Sequence, residues 1–145
     1  MICVDASVVA KWLFPEEHSE LALALVAASA QAGQRIVAPT LLPIEVTNII
    51  RQRMLRDGLS LGQATRLLGQ YHAFSIAISA PEALSERALA LADAHNLPAV
   101  YDAHYVALAQ LLGCELWTSD RRLLRALGGK LPFVKWLGDY AGGEP

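Results

Sequence analysis

Short apolar runs alternate along this chain with longer segments of helical periodicity, and this alternation constrains the fold more than any other feature. The run ICVD precedes a helical stretch that continues to Ala32 and stops at Gly33, and RIVA follows it. Strands that alternate with helices form a parallel sheet with helices on both faces. The sequence therefore predicts a three-layer α/β/α fold with a central parallel sheet, built as one domain over residues 1–145.

The same alternation continues to the end of the chain. Helices are predicted over Thr40 to Asp57 and Leu61 to His72, and FSIAI at Phe74 to Ile78 is a strand candidate. The later segments are a helix from Pro81, a helix over Val100 to Gly113, the strand ELWTS, a helix from Arg121 that ends at Gly128, and the strand PFVKW.

Four acidic residues stand alone in apolar surroundings. Asp5 is the sole charge in the first ten residues, and Glu45 is the sole charge between Ile36 and Ile50. Asp102 is the only formal charge between Asp93 and Glu115 when histidines are neutral, and Asp120 follows an apolar run. Because an unpaired buried ion is costly, isolated acids in such segments need a compensating partner.

The predicted fold brings these acids to one edge of the sheet. Asp5 and Asp120 directly follow strands, whereas Glu45 and Asp102 lie near helix N-termini at the same edge, where such folds bind ligands. Neighbouring carboxylates repel unless a cation intervenes. Oxygen ligands without a His or Cys cluster favour Mg²⁺ or Mn²⁺ over zinc. Such a site suits phosphodiester hydrolysis by a metal-activated water.

Helix capping is a simpler explanation for each acid taken alone. An aspartate at a helix N-terminus accepts hydrogen bonds from free N–H groups, and Ser7 also fits such a role. Glu45 is the exception, since it lies inside a helix beyond Pro43, where it can instead pair with an arginine.

Composition limits the partners of the chain. The net charge of −2 leaves RNA binding to a local patch, and the candidates are Arg51, Arg53 and Arg56 on one helix and Arg121, Arg122 and Arg125 on another. Both sets are equally compatible with solvated helix faces. The 54% hydrophobic content predicts apolar surface covered by a partner chain. Two cysteines, both expected in the core, and the lack of a membrane span or signal peptide predict a cytoplasmic protein.

The acidic motifs resemble a known family. Asp5 with Ser7, then Glu45, then YDAxYVALA at Tyr101 to Ala109, then TSDRRL at Thr118 to Leu123 resemble PIN-domain nucleases, specifically the VapC toxins of toxin–antitoxin pairs. The resemblance spans nearly the whole chain, and its two C-terminal motifs are specific.

This resemblance implies a function and a set of site residues. Asp5, Glu45, Asp102 and Asp120 match the four acidic positions of the family, and Ser7 and Thr118 match its accessory hydroxyls. The family implies a Mg²⁺- or Mn²⁺-dependent endoribonuclease of the cytoplasm, with RNA as its substrate. It also implies a homodimer and neutralisation by a VapB-type antitoxin protein.

Two other functions remain open from the sequence alone. A receiver-like regulatory domain also gathers acids around Mg²⁺, but the runs RIVA and FSIAI are followed by Pro39 and Ser79 rather than by a phosphoacceptor aspartate. A catalytically silent PIN-fold binding module is the second alternative. His104 is interpreted as a surface histidine on the solvent side of its helix, and Trp12, Trp117 and Trp136 as core or interface residues.

Overall fold

A computed structural model describes residues 1–141 of the chain. It contains strands β1 (Ile2–Val4), β2 (Ile36–Ala38), β3 (Ala77–Ile78), β4 (Glu115–Thr118) and β5 (Val134–Trp136). The helices are α1 (Ala6–Leu13), α2 (Ser19–Gln31), α3 (Leu41–Asp57), α4 (Leu61–Ala73), α5 (Leu84–Ala94), α6 (Tyr101–Leu112) and α7 (Arg121–Leu127), and a 3₁₀ turn covers Leu137–Asp139.

The five strands form one parallel sheet in the order β3-β2-β1-β4-β5, with β1 at its centre. Helix α1 packs against α2, α3, α4 and β4, whereas α6 packs against α5, β1 and β4. The predicted three-layer α/β/α fold is confirmed. Strand β2 lies on one side of β1 and β4 lies on the other. In open α/β sheets a ligand-binding crevice forms at the carboxyl ends of strands where the strand order reverses in this way.

The core consists mainly of aliphatic side chains from the central strands and from α1 and α6. Cys3, Val4 and Leu116 on the strands are fully buried, as are Val8 and Leu108 on the helices. Burial of this kind contributes roughly 25 cal/mol per Å² of apolar surface removed from water. Strands β1 and β4 are thereby held in register, with Val4 opposite Trp117.

Several sequence expectations need correction. The helical stretch ending at Ala32 is two helices, because Phe14 adopts an extended backbone before Pro15 and ends α1. Only Ala77–Ile78 of FSIAI is a strand, since Phe74 caps the end of α4 and its ring packs 4.8 Å from that of Trp12.

Smaller corrections concern individual side chains. The helix expected from Pro81 begins at Leu84. His104 is half-buried rather than solvent-facing, because its Nδ1 lies 2.6 Å from the carbonyl oxygen of Val100 one turn earlier. Cys3 is in the core as expected, but Cys114 is only partly buried.

Candidate metal-dependent active site

Asp5 is the buried centre of the candidate site. It follows β1 directly and is the N-cap of α1, where its Oδ1 accepts hydrogen bonds from the N–H groups of Ser7 (3.0 Å) and Val8 (3.2 Å). The hydroxyl of Ser7 donates to Oδ1 and that of Thr118 donates to Oδ2. The side chain of Asp5 is therefore fixed by four donors in a site that is only 5% exposed.

The two hydroxyls also tie Asp5 to the turn after β4. Ser7 Oγ accepts a hydrogen bond from Ser119 N (2.8 Å), and Thr118 Oγ1 accepts one from Asp120 N (3.0 Å). Each hydroxyl donates to the carboxylate and accepts from the neighbouring backbone. Ser7 is thus not the cap of α1, a role that belongs to Asp5, but one of two links between the adjacent strand ends.

Asp102 and Asp120 line an open cleft of about 240 Å³ at this edge of the sheet. Asp120 is the N-cap of α7 and accepts hydrogen bonds from the N–H groups of Arg122 (2.8 Å) and Leu123 (3.4 Å). Asp102 lies in the first turn of α6, whose N-cap is Val100 and which has no side-chain cap. Capping therefore accounts for contacts of Asp120 but not for Asp102.

Glu45 reaches the site from α3. It is half-buried and accepts a hydrogen bond from the hydroxyl of Tyr105 (2.9 Å). Tyr105 therefore holds the Glu45 carboxylate, whereas the sequence pattern indicated only that this tyrosine lies on the apolar face of α6. A buried tyrosine hydroxyl needs a hydrogen-bond partner. An isolated acid elsewhere in the chain was therefore the sequence signal that could have indicated this contact.

The four carboxylates are electrostatically coupled. Burial raises the pKa of Asp5 to about 6, and Asp102 adds to that rise, whereas the Ser7 and Thr118 hydrogen bonds oppose it. Burial likewise raises the pKa of Glu45, with a further contribution from Asp102. Burial and then the charge of Asp120 raise the pKa of Asp102. Asp102 thus connects the other three acids.

The chemistry of these four acidic side chains suits a hard divalent ion. All four side chains offer carboxylate oxygens, which Mg²⁺ and Mn²⁺ prefer. Within residues 1–141, however, no group of three or more His, Cys, Asp or Glu side chains is arranged to hold a metal ion. The structure brings the acids to one edge of the sheet and couples their charges without presenting a finished ligand cage.

The candidate arginines differ in exposure. Arg53 is half-buried, contacts Glu16 (3.2 Å) and lies over the ring of Phe14, whereas Arg51, Arg56 and Arg125 are exposed. Arg122 lines the acidic cleft, and its Nε lies 3.8 Å from Asp120 Oδ1. The cluster on α3 therefore stabilises packing in part, and the cluster on α7 is the one beside the acids.

Tyr105→Phe should raise the pKa of Glu45 further, because the lost hydrogen bond favours the ionised carboxylate. The free energy of unfolding should fall by about 1 kcal/mol, since one buried hydrogen bond is removed while the ring is kept. Carboxyl ¹³C titration by NMR measures the pKa. Tyr101→Phe, an exposed tyrosine on the same helix, is the control. An unchanged Glu45 pKa in Tyr105→Phe would contradict the assigned contact.

Comparisons with known proteins agree with this architecture. A family model described as the PIN domain matches residues 2–129. Ribonuclease VapC3 of Pyrobaculum aerophilum is 37% identical over 125 residues, which cover 84% of this chain and 91% of that relative. Ribonuclease VapC9 of Mycobacterium tuberculosis is 34% identical over 123 residues, which cover 85% and 88%.

A solved structure shows the same fold. The crystal structure of PAE2754 from Pyrobaculum aerophilum aligns with a TM-score of 0.61 at 24% identity, covering 86% of this chain and 78% of that one. The family model spans all of the residues that carry the acidic motifs, and the curated relatives match over most of their length. The chain therefore belongs to the PIN-domain family, within its VapC group.

Proposed function

We propose that this protein is a divalent-metal-dependent endoribonuclease that acts as the toxin of a type II toxin–antitoxin pair. The observation that carries the proposal is the coupling of Asp5, Glu45, Asp102 and Asp120 at the carboxyl edge of β1 and β4. The names of the VapC relatives support ribonuclease chemistry.

The four acids are assigned to holding Mg²⁺ or Mn²⁺. When bound, such an ion activates a water and neutralises charge that develops on the scissile phosphodiester. Ser7 and Thr118 keep Asp5 in one orientation, and Tyr105 does the same for Glu45. Because the attacking group is a water molecule, this mechanism needs no nucleophilic side chain.

Partner proteins are assigned from exposed apolar side chains. Leu23 on α2 and Ile44 and Leu55 on α3 are 46%, 67% and 63% exposed. Helix α1 packs on both of these helices. We assign this surface to a VapB-type antitoxin segment and further apolar surface to a homodimer contact. Residues 1–141 contain no helix that is long and apolar enough to cross a membrane, and the proposed site of action is the cytoplasm.

Purified protein should cleave single-stranded RNA in Mg²⁺ or Mn²⁺ and leave 5′-phosphate and 3′-hydroxyl ends. EDTA should stop cleavage, and an excess of Mg²⁺ should restore it. End-group analysis provides the control, because contaminating ribonucleases that use the 2′-hydroxyl leave 2′,3′-cyclic phosphates. Cleavage that persists in EDTA would refute the metal-dependent mechanism. Folded, metal-loaded protein that cleaves no RNA would favour the silent binding module.

A further inference from the structure

A second cavity lies next to the acidic cleft and is larger than it. Its volume is about 540 Å³, against about 240 Å³ for the cleft that contains Asp102. The two share Asp120 and Arg122 in their linings. A volume of several hundred Å³ is typical of sites for small organic groups. A chain-like ligand that crosses Asp120 would therefore contact both cavities.

Three planar side chains meet in this second cavity, each from a different element. They are the imidazole of His18 before α2, the guanidinium of Arg121 at the start of α7 and the indole of Trp136 at the end of β5. The Arg121 guanidinium carbon lies 5.1 Å from the Trp136 ring centroid. The His18 ring approaches the indole edge-on at 5.7 Å. We call this space the Trp136 cavity.

Two backbone features lie beside the side chains of the Trp136 cavity. His18 has a φ of 65°, a left-handed conformation that is uncommon outside glycine and persists only where the surroundings hold it. At Gly138, an added Cβ would lie 2.5 Å from the Trp136 ring. The glycine therefore lets the backbone pack closely against the indole and sets its position.

Charge favours a flat uncharged group over a lone phosphate in the Trp136 cavity. Its lining contains equal numbers of cations and carboxylates, namely Lys11, Arg121, Arg122, Glu16, Glu17 and Asp120. All three cations are paired with carboxylates. Lys11 lies 3.7 Å from Glu16 and Arg121 lies 3.7 Å from Glu17. Arg122 lies 3.8 Å from Asp120. No excess positive charge attracts an anion, whereas aromatic and guanidinium planes are the surfaces on which unpaired bases stack.

We propose that the Trp136 cavity binds one unpaired base of single-stranded RNA, stacked against Trp136 and Arg121. The adjoining phosphodiester would then lie across Asp120, toward the cleft of Asp102. The choice of RNA as ligand rests on the proposed ribonuclease function. In this arrangement Trp136 and Arg121 position one nucleotide beside the scissile bond, and they take no part in the chemistry.

RNA binding by tryptophan variants tests the proposal. The probe is a fluorescein-labelled pool of random single-stranded RNA, measured by anisotropy in Mg²⁺ in an Asp102→Asn background that leaves the RNA intact. Adding Trp136→Leu should raise Kd roughly 5- to 150-fold, the loss typical of one stacked base. Trp136→Phe keeps an aromatic face and should recover most of the binding. Trp117→Leu removes another partly buried indole, outside this cavity, and should leave Kd nearly unchanged.

Two variants of exposed arginines distinguish a loss of RNA binding from a loss of folding. Arg121 and Arg125 are both exposed on α7, but only Arg121 lines the Trp136 cavity. Arg121→Gln should weaken RNA binding severalfold, whereas Arg125→Gln, with the same change in net charge, should weaken it far less. Equal effects of the two glutamine variants would overturn the proposal, and so would a Kd in Trp136→Leu that equals that of the Asp102→Asn parent. Absence of cleavage by the parent enzyme with intact Trp136-dependent binding would instead refute the ribonuclease function alone.

Discussion

Replacing Asp102 with asparagine should reduce RNA cleavage by three or more powers of ten. Asp102 lines the acidic cleft and adds to the raised pKa values of both Asp5 and Glu45, so it occupies the centre of the coupled set. Under the proposed function, the loss of one charged ligand removes several kcal/mol of the stabilisation that a divalent ion offers a phosphoryl transition state, on the order of 1,000-fold or more in rate. Initial rates on labelled RNA measure the effect.

The same substitution should leave the metal-free protein as stable as the wild type or more stable. Removing one of several like charges relieves repulsion that the unfolded chain escapes, a gain on the order of 1 kcal/mol. Mg²⁺ should then raise the melting temperature of the wild type more than that of the variant. Asp93→Asn, an exposed site on α5, controls for the change in net charge. Retained cleavage in Asp102→Asn would refute its role as a metal ligand.

The sequence singled out the candidate site residues because isolated charges in apolar runs are chemically conspicuous. Asp5 and Asp120 both follow strands, as expected, and the structure shows that each also caps the helix that it precedes. The capping and site interpretations are therefore compatible at these two positions. Only Asp102 and Glu45, which lie inside helices and cap nothing, distinguish the two interpretations.

Contacts between distant parts of the chain could not be predicted. The hydrogen bond between Tyr105 and Glu45 joins residues far apart in sequence, and it depends on how α3 and α6 sit relative to the sheet. Short edge strands such as β3 have little periodicity to detect, since two residues define no alternation. The arrangement of His18 with Trp136 likewise depends on a left-handed backbone conformation that no residue pattern indicated.

Asp5→Asn should remove a pH-dependent loss of stability from the metal-free protein. The folded-state pKa of Asp5 is raised from 3.8 to about 6, chiefly by burial. The unfolded chain therefore releases this proton first as the pH rises. Because the folded state holds the proton more tightly, protonation of Asp5 stabilises the fold. This stabilisation is complete below pH 3.8, decreases between pH 3.8 and about 6, and is absent at higher pH. At about 1.4 kcal/mol per unit, the loss is about 3 kcal/mol.

The variant should accordingly be more stable than the metal-free wild type at pH 8 by up to about 3 kcal/mol, with a much smaller difference at pH 4. Asparagine keeps the cap of α1, because its carbonyl oxygen accepts from the same N–H groups. Denaturant unfolding in EDTA across this pH range, with Asp93→Asn as control, gives the difference curve. A difference that does not change with pH would contradict the raised pKa.

Activity should follow the opposite course. Because a divalent ion binds the ionised carboxylate, protons compete with it at low pH, and wild-type cleavage should decline as the pH falls below about 6. Asp5→Asn should be inactive at every pH and should gain little stability from Mg²⁺. A stabilised yet inactive variant would show that the ionised Asp5 lowers the free energy of unfolding and is required for activity. A residue that served only as a helix cap would not combine these two effects.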